Sequence, residues 1–121
     1  MSTARGNEGE ERAVRFLERQ GAAILDRNRR GGSGELDIVA RLGELLLFVE
    51  VKFHRDYDSG LLAMHADKRR RLVSAAQSWR LRHTELASLQ CRFDLIILTP
   101  RRGLFGRERI ELHHLPDAFR P

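Results

Sequence analysis

Gly34-Glu35-Leu36-Asp37-Ile38-Val39-Ala40, followed eight residues later by Phe48-Val49-Glu50-Val51-Lys52, is the stretch that decides the fold of this 121-residue chain. Both segments read as strands with an acid in the middle, and the second carries a lysine two positions on. Glu50 interrupts Leu45-Leu46-Leu47-Phe48-Val49-Glu50-Val51, a run that otherwise reads as a buried strand. A carboxylate there costs several kcal/mol, roughly, unless a cation or hydrogen-bond donors compensate it.

The register of the two segments matters most. If Gly43-Glu44 is a two-residue type II′ loop, Asp37 faces Glu50 directly and Glu35 faces Lys52. If the loop is Leu42-Gly43, Asp37 becomes a diagonal neighbour of Glu50. In either register the period of two puts Asp37, Glu50 and Lys52 on one face.

Working outward, residues 7–20 read as an amphipathic helix with Ala13, Val14, Phe16 and Leu17 on one side and Gly21 as the stop. A first strand spans 22–28 and ends in Arg27-Asn28-Arg29-Arg30. Gly31-Gly32-Ser33-Gly34 reads as a flexible turn, and 35–41 and 45–52 form the hairpin. Residues 53–64 read as a polar loop. A second helix over 65–83 buries Leu72, Ala75, Ala76 and Trp79 and carries Lys68, Arg69, Arg70, Arg71, Arg80 and Arg82 outside. Strands follow at 91–99 and 108–115, with 100–106 as the turn. The order α-β-β-β-α-β-β, without repeats or an obvious linker, predicts a single α/β domain over 1–121.

Hydrophobic residues make up 41% and charged residues 32%, as expected of a soluble globular protein. The net charge of +5 is mostly arginine, with a pI near 10.6, and guanidinium forks favour phosphate-bearing partners. Cys91 is the single cysteine, so no internal disulfide forms; with no apolar leader or membrane-length apolar stretch, a cytoplasmic protein away from the membrane is expected. The five histidines lack zinc-ligand spacing, since His54, His65 and His83 are scattered and His113-His114 point to opposite faces of a strand. Cys91 reads as a core residue and Asp94 as a structural one. No phosphate-cradling glycine motif is present.

The acid pair suits phosphodiester hydrolysis, which needs a Lewis acid, an activated water and cations that offset charge on the phosphoryl oxygens. Asp37 and Glu50 supply oxygens for Mg²⁺ or Mn²⁺, and the Val51 carbonyl between Glu50 and Lys52 is a third donor. Lys52 is placed to orient water or to pair with phosphate. The competing reading of the same residues is structural: charges that blunt a sheet edge, or a Glu35–Lys52 ion pair.

The chain resembles the small bacterial proteins of the YraN family, a branch of the PD-(D/E)xK nuclease superfamily similar to Holliday-junction resolvases. The resemblance runs through Gly9-Glu10, Ala13, Leu17, Gly21, Ile24-Leu25, Arg27-Asn28 and Arg30, then the two segments quoted above, then Lys68 and Arg92-Phe93-Asp94. It implies a restriction-endonuclease-like mixed β-sheet flanked by helices. It matches Asp37 and Glu50 to the metal-binding acids, Lys52 to the catalytic lysine and Glu10 to a first-helix glutamate of the site. Glu10 also reads as the capping-box partner of Asn7, and Glu35 as either a second ion-pairing residue or a ligand. Two positions depart from the pattern: Phe53 replaces a small hydroxyl residue after the lysine, and Arg29 replaces a tryptophan.

The resemblance implies Mg²⁺- or Mn²⁺-dependent cleavage of DNA, branched or otherwise structured, with Arg27, Arg29, Arg30, Lys68, Arg69, Arg70 and Arg71 on phosphates. Cutting opposed strands of a junction needs two sites and hence a homodimer. The alternative is a non-catalytic DNA-binding or partner-docking protein that retains the fold.

Overall fold

β3 (Leu45–Phe53) is the centre of the molecule because its side chains are apolar on both faces up to Glu50. The computed structural model describes residues 4–121. In it β3 lies third in a mixed sheet ordered β1 (Ala23–Gly31), β2 (Gly34–Leu42), β3, β4 (Gln90–Arg102), β5 (Glu108–Phe119). Only the β3–β4 pair is parallel, and its crossover carries helices α2 (Tyr57–Leu62) and α3 (Ala66–Arg82). Helix α1 (Ala4–Arg19) covers the opposite face.

Side-chain alternation divides the core between the two faces. Leu46 and Phe48 meet Leu72, Ala75, Ala76 and Trp79 of α3, while Leu47 and Val49 meet Ala13, Val14 and Leu17 of α1. The helix faces read from the sequence are those packed on the sheet, with Phe16 of α1 only half-buried. Glu50 and Lys52 share the phase of Leu46 and Phe48, so they fall on the α3 face.

The hairpin register is the direct one. Ile38 pairs with Val49 and Leu42 with Leu45, leaving Gly43-Glu44 as the loop, with φ of +61° at Gly43 as a type II′ turn requires.

The elements differ from expectation in several places, β1 among them, which runs on from the expected residue 28 to Gly31. α1 begins at Ala4, so Asn7 is inside the helix and cannot be its N-cap. The 53–64 segment contains α2, whose N-cap Asp56 accepts a hydrogen bond from the Ser59 amide at 2.8 Å. Gly60 belongs there because a Cβ would lie 2.7 Å from Ile97 Cγ2. β4 continues through Pro100 to Arg102, and β5 extends to Phe119. Pro100 is tolerated because β3 has already ended and β4 is a free edge on that side. The turn at Gly31–Gly34 is clamped on α3: the Ser33 amide donates to Ser74 Oγ at 3.0 Å, and a Cβ on Gly34 would sit 2.3 Å from the Arg71 carbonyl oxygen.

Candidate active site

The β2–β3 ladder stops at Ile38–Val49, one pair before the two acids would oppose each other. Where the next bond would form, Asp37 Oδ2 accepts the Val51 amide at 2.9 Å. The carboxylate thus substitutes for a backbone partner and opens a fork between the strands. The N–H and C=O of a strand residue point the same way, so the Val51 carbonyl faces the same fork.

Glu50 stands at this fork with only 4% of its surface exposed. Its Oε1 lies 3.5 Å from Lys52 Nζ and 3.5 Å from Lys68 Nζ. Its Oε2 is buried with no hydrogen-bond partner among the described residues. Burial, and then the charge of Asp37, push the Glu50 carboxyl up to about 8 against the pull of both lysines.

Glu10 reaches the neighbourhood from α1 and is buried. Burial first, then Asp37, raise its pKa, with Arg27 and Asn28 opposing. Asp37 therefore acts electrostatically on an acid of β3 and on an acid of α1. Among the described residues, no three His, Cys, Asp or Glu side chains gather into a group able to hold a metal ion by themselves. An ion held by Asp37 and Glu50 would need other oxygens to complete its shell, which suits Mg²⁺, an ion that usually keeps several waters.

The second lysine at Glu50 was not visible in the sequence, where Lys68 reads as part of an outer basic face expected to meet phosphates. It comes from the first turn of α3, and no local spacing connects it to residue 50. The Glu35–Lys52 pair is not formed, because Lys52 turns to Glu50. Glu35 instead lines a groove of about 420 Å³ with Arg30, Lys68 and Arg71, walled by the Gly31–Gly34 turn.

The other expected phosphate-binding residues are tied up locally. Arg27 pairs with Glu11 at 2.8 Å, Arg29 with Asp26 at 2.8 Å and Arg70 with Asp67. Arg69 donates to the Met64 carbonyl at 2.8 Å. Arg30, Lys68 and Arg71 are the three gathered along one groove. Phe53 is turned away from it, beneath α1, with the Arg5 guanidinium 4.8 Å from its ring centre.

A model of the "Uncharacterised protein family UPF0102" matches residues 9–98, from Gly9 in the first helix to Leu98 in β4. The chain belongs to this family. The UPF0102 protein of Syntrophotalea carbinolica is 47% identical over 116 residues, covering 94% of this chain and 89% of its own. The UPF0102 protein of Azorhizobium caulinodans is 44% identical over 116 residues, covering 96% of this chain and 82% of its own. UPF0102 is the YraN grouping that the opening motifs resemble, and its matched segment contains Glu10, Asp37, Glu50, Lys52 and Lys68.

Proposed function

We propose that this UPF0102 protein is a divalent-metal-dependent nuclease of the PD-(D/E)xK type, acting on branched or otherwise structured DNA. The observation that carries the reading is the partnerless, buried Oε2 of Glu50 beside a second carboxylate. A buried acid with an open coordination position is costly unless a cation completes it. Asp37 Oδ1, Glu50 and the Val51 carbonyl would hold Mg²⁺ or Mn²⁺. When bound, such an ion supplies Lewis-acid polarisation of a phosphodiester and neutralises charge.

The chain's own residues supply the rest. Lys52, on the Glu50 face, orients the attacking water through its ammonium and offsets charge on the phosphoryl oxygens. Lys68 shares Glu50 with it at an equal distance of 3.5 Å. Its ammonium is therefore available both to hold the carboxylate and to meet phosphate entering from the groove. Glu10 adds negative charge on the α1 side of Asp37. The cation-rich groove supports DNA binding through phosphates, which positions the duplex without reading its sequence. Junction resolution would require a homodimer, and a cytoplasmic setting fits the lone cysteine.

A second reading is favoured by the same lysines. Two ammonium groups at Oε1 already offset much of the Glu50 charge, as in a protein that kept the fold to bind DNA or a partner without cutting. Cleavage of labelled linear, flapped and four-way DNA with Mg²⁺ or Mn²⁺ separates the two. Metal-dependent product lost in Lys52→Ala, with its melting curve unchanged, supports the nuclease. A folded wild type that binds these DNAs and cuts none supports the second reading.

A further inference from the structure

β4 and β5 together form a hairpin that stands clear of the sheet. β3 ends at Phe53 opposite Leu98, whereas β4 runs on through residues 99–102 before returning as β5. At ~3.3 Å per residue the hairpin reaches ~13 Å beyond the strand that carries Glu50 and Lys52. Because β3 and β4 are parallel, it projects from the same end of the sheet as Lys52. The antiparallel pairing of β1, β2 and β3 brings the Gly31–Gly34 turn to that end too. The acid pair is thus bracketed, by a basic groove on one side and a projecting hairpin on the other.

The hairpin tip, Gly103-Leu104-Phe105-Gly106, is unusual for a solvent-exposed turn. Phe105 is 99% exposed and Leu104 84% exposed. Phe105 is held at φ of +63°, a left-handed backbone that bulky side chains rarely adopt. The stem below is cationic: Arg102, Arg107 and Arg109 form no ion pair among the described residues, while Arg101 is paired with Glu111. One aromatic ring and one leucine make a small apolar patch, and the free arginines around it call for a polyanion with a flat apolar face. An unstacked nucleobase on its phosphate backbone has both.

We propose that this hairpin is a wedge for branched DNA, with Phe105 and Leu104 against an unstacked base at the branch and Arg102, Arg107 and Arg109 on the neighbouring phosphates. The inference rests on the DNA-directed reading above and deepens it, by assigning recognition of branch structure to residues outside the acidic site.

The test is a binding measurement in EDTA, where no cutting occurs. Fluorescence anisotropy compares four-way DNA with linear duplex, and 2-aminopurine at the branch point reports unstacking. Wild type is expected to favour the branched form. Phe105→Ala should lose about tenfold on branched DNA, the size of one base–aromatic stack, with duplex affinity unchanged and the 2-aminopurine signal gone. Phe105→Trp should retain both, and Arg102→Ala should weaken both DNAs equally.

An unchanged branched-to-duplex ratio in Phe105→Ala overturns the wedge. So does a tip that instead drives sedimentation with phosphatidylglycerol vesicles while DNA binding ignores it. Phe105-dependent preference in a protein that cuts nothing with metal supports the wedge and removes the nuclease reading. Metal-dependent cutting with a ratio indifferent to Phe105 does the reverse, and no DNA binding at all removes both.

Discussion

Two buried acids lie on adjacent strands in opposite situations. Glu50 on β3 and Asp94 on β4 are 4% and 1% exposed, one register step apart and on opposite faces. Asp94 is saturated: Arg92 donates to both of its oxygens at 2.8 and 2.9 Å, the His114 ring lies at 2.8 Å, and the Asp117 amide donates at 3.0 Å. Those hydrogen bonds overcome burial and hold the Asp94 carboxyl down at about 2. Among the described residues Glu50 has two ammoniums on one oxygen and no hydrogen-bond donor on the other, and burial beside Asp37 takes it the other way, to about 8. One acid is finished by the protein itself. The other is left without a hydrogen-bond donor on one oxygen where the strands fork, as the proposed metal site requires.

The largest expected effect lies on the finished side. Asp94→Ala should lose about 3–4 kcal/mol in a urea melt, because Arg92, His114 and the Asp117 amide lose their common acceptor. Glu50→Gln should show the opposite sign, leaving the metal-free protein equally stable or more stable by about 1 kcal/mol. A comparable loss from both substitutions would erase the distinction drawn here.

Stability against pH should separate the two acids further. Glu50 is raised above its ordinary 4.5, so its contribution is complete below that value and is lost as pH climbs to about 8. Asp94 is lowered from 3.8, so its contribution is complete above 3.8 and is lost as pH falls towards 2. In urea melts across this range without metal, Glu50→Gln should flatten the alkaline decline and Asp94→Asn the acid one. The smallest effect is expected for Lys68→Met, which removes one of the two Glu50 amines. Its stability should change by less than about 1 kcal/mol, while the Glu50 carboxyl, followed by NMR, should titrate at still higher pH.

How much of this was legible in the sequence follows from the range of each interaction. Alternation around Gly43 was enough for the hairpin and the shared face of Asp37, Glu50 and Lys52, because strand phase is local; it left two loops open, and the pairing of Leu42 with Leu45 decides for Gly43-Glu44. The buried face of α3 was legible for the same reason. The contact of Lys68 with Glu50 was not legible, because the lysine, read as a phosphate-binding residue of the basic face, meets Glu50 only after the crossover folds α3 onto the sheet. The saturation of Asp94 depends on His114 and Asp117, which β5 delivers from 20 and 23 residues away. The glycines of the Gly31–Gly34 turn looked like flexibility, but they permit close approach to α3. Pro100 looked like the end of a strand only because the sequence does not reveal that β3 has already stopped beside it.

Mn²⁺ titration followed by electron paramagnetic resonance tests the contrast most directly. The wild type should take up Mn²⁺ and broaden the free-ion signal, Glu50→Gln should lose that uptake, and Asp94→Asn should retain it while folded. A wild type that leaves Mn²⁺ free, or a Glu50→Gln protein that binds it equally well, would contradict the account.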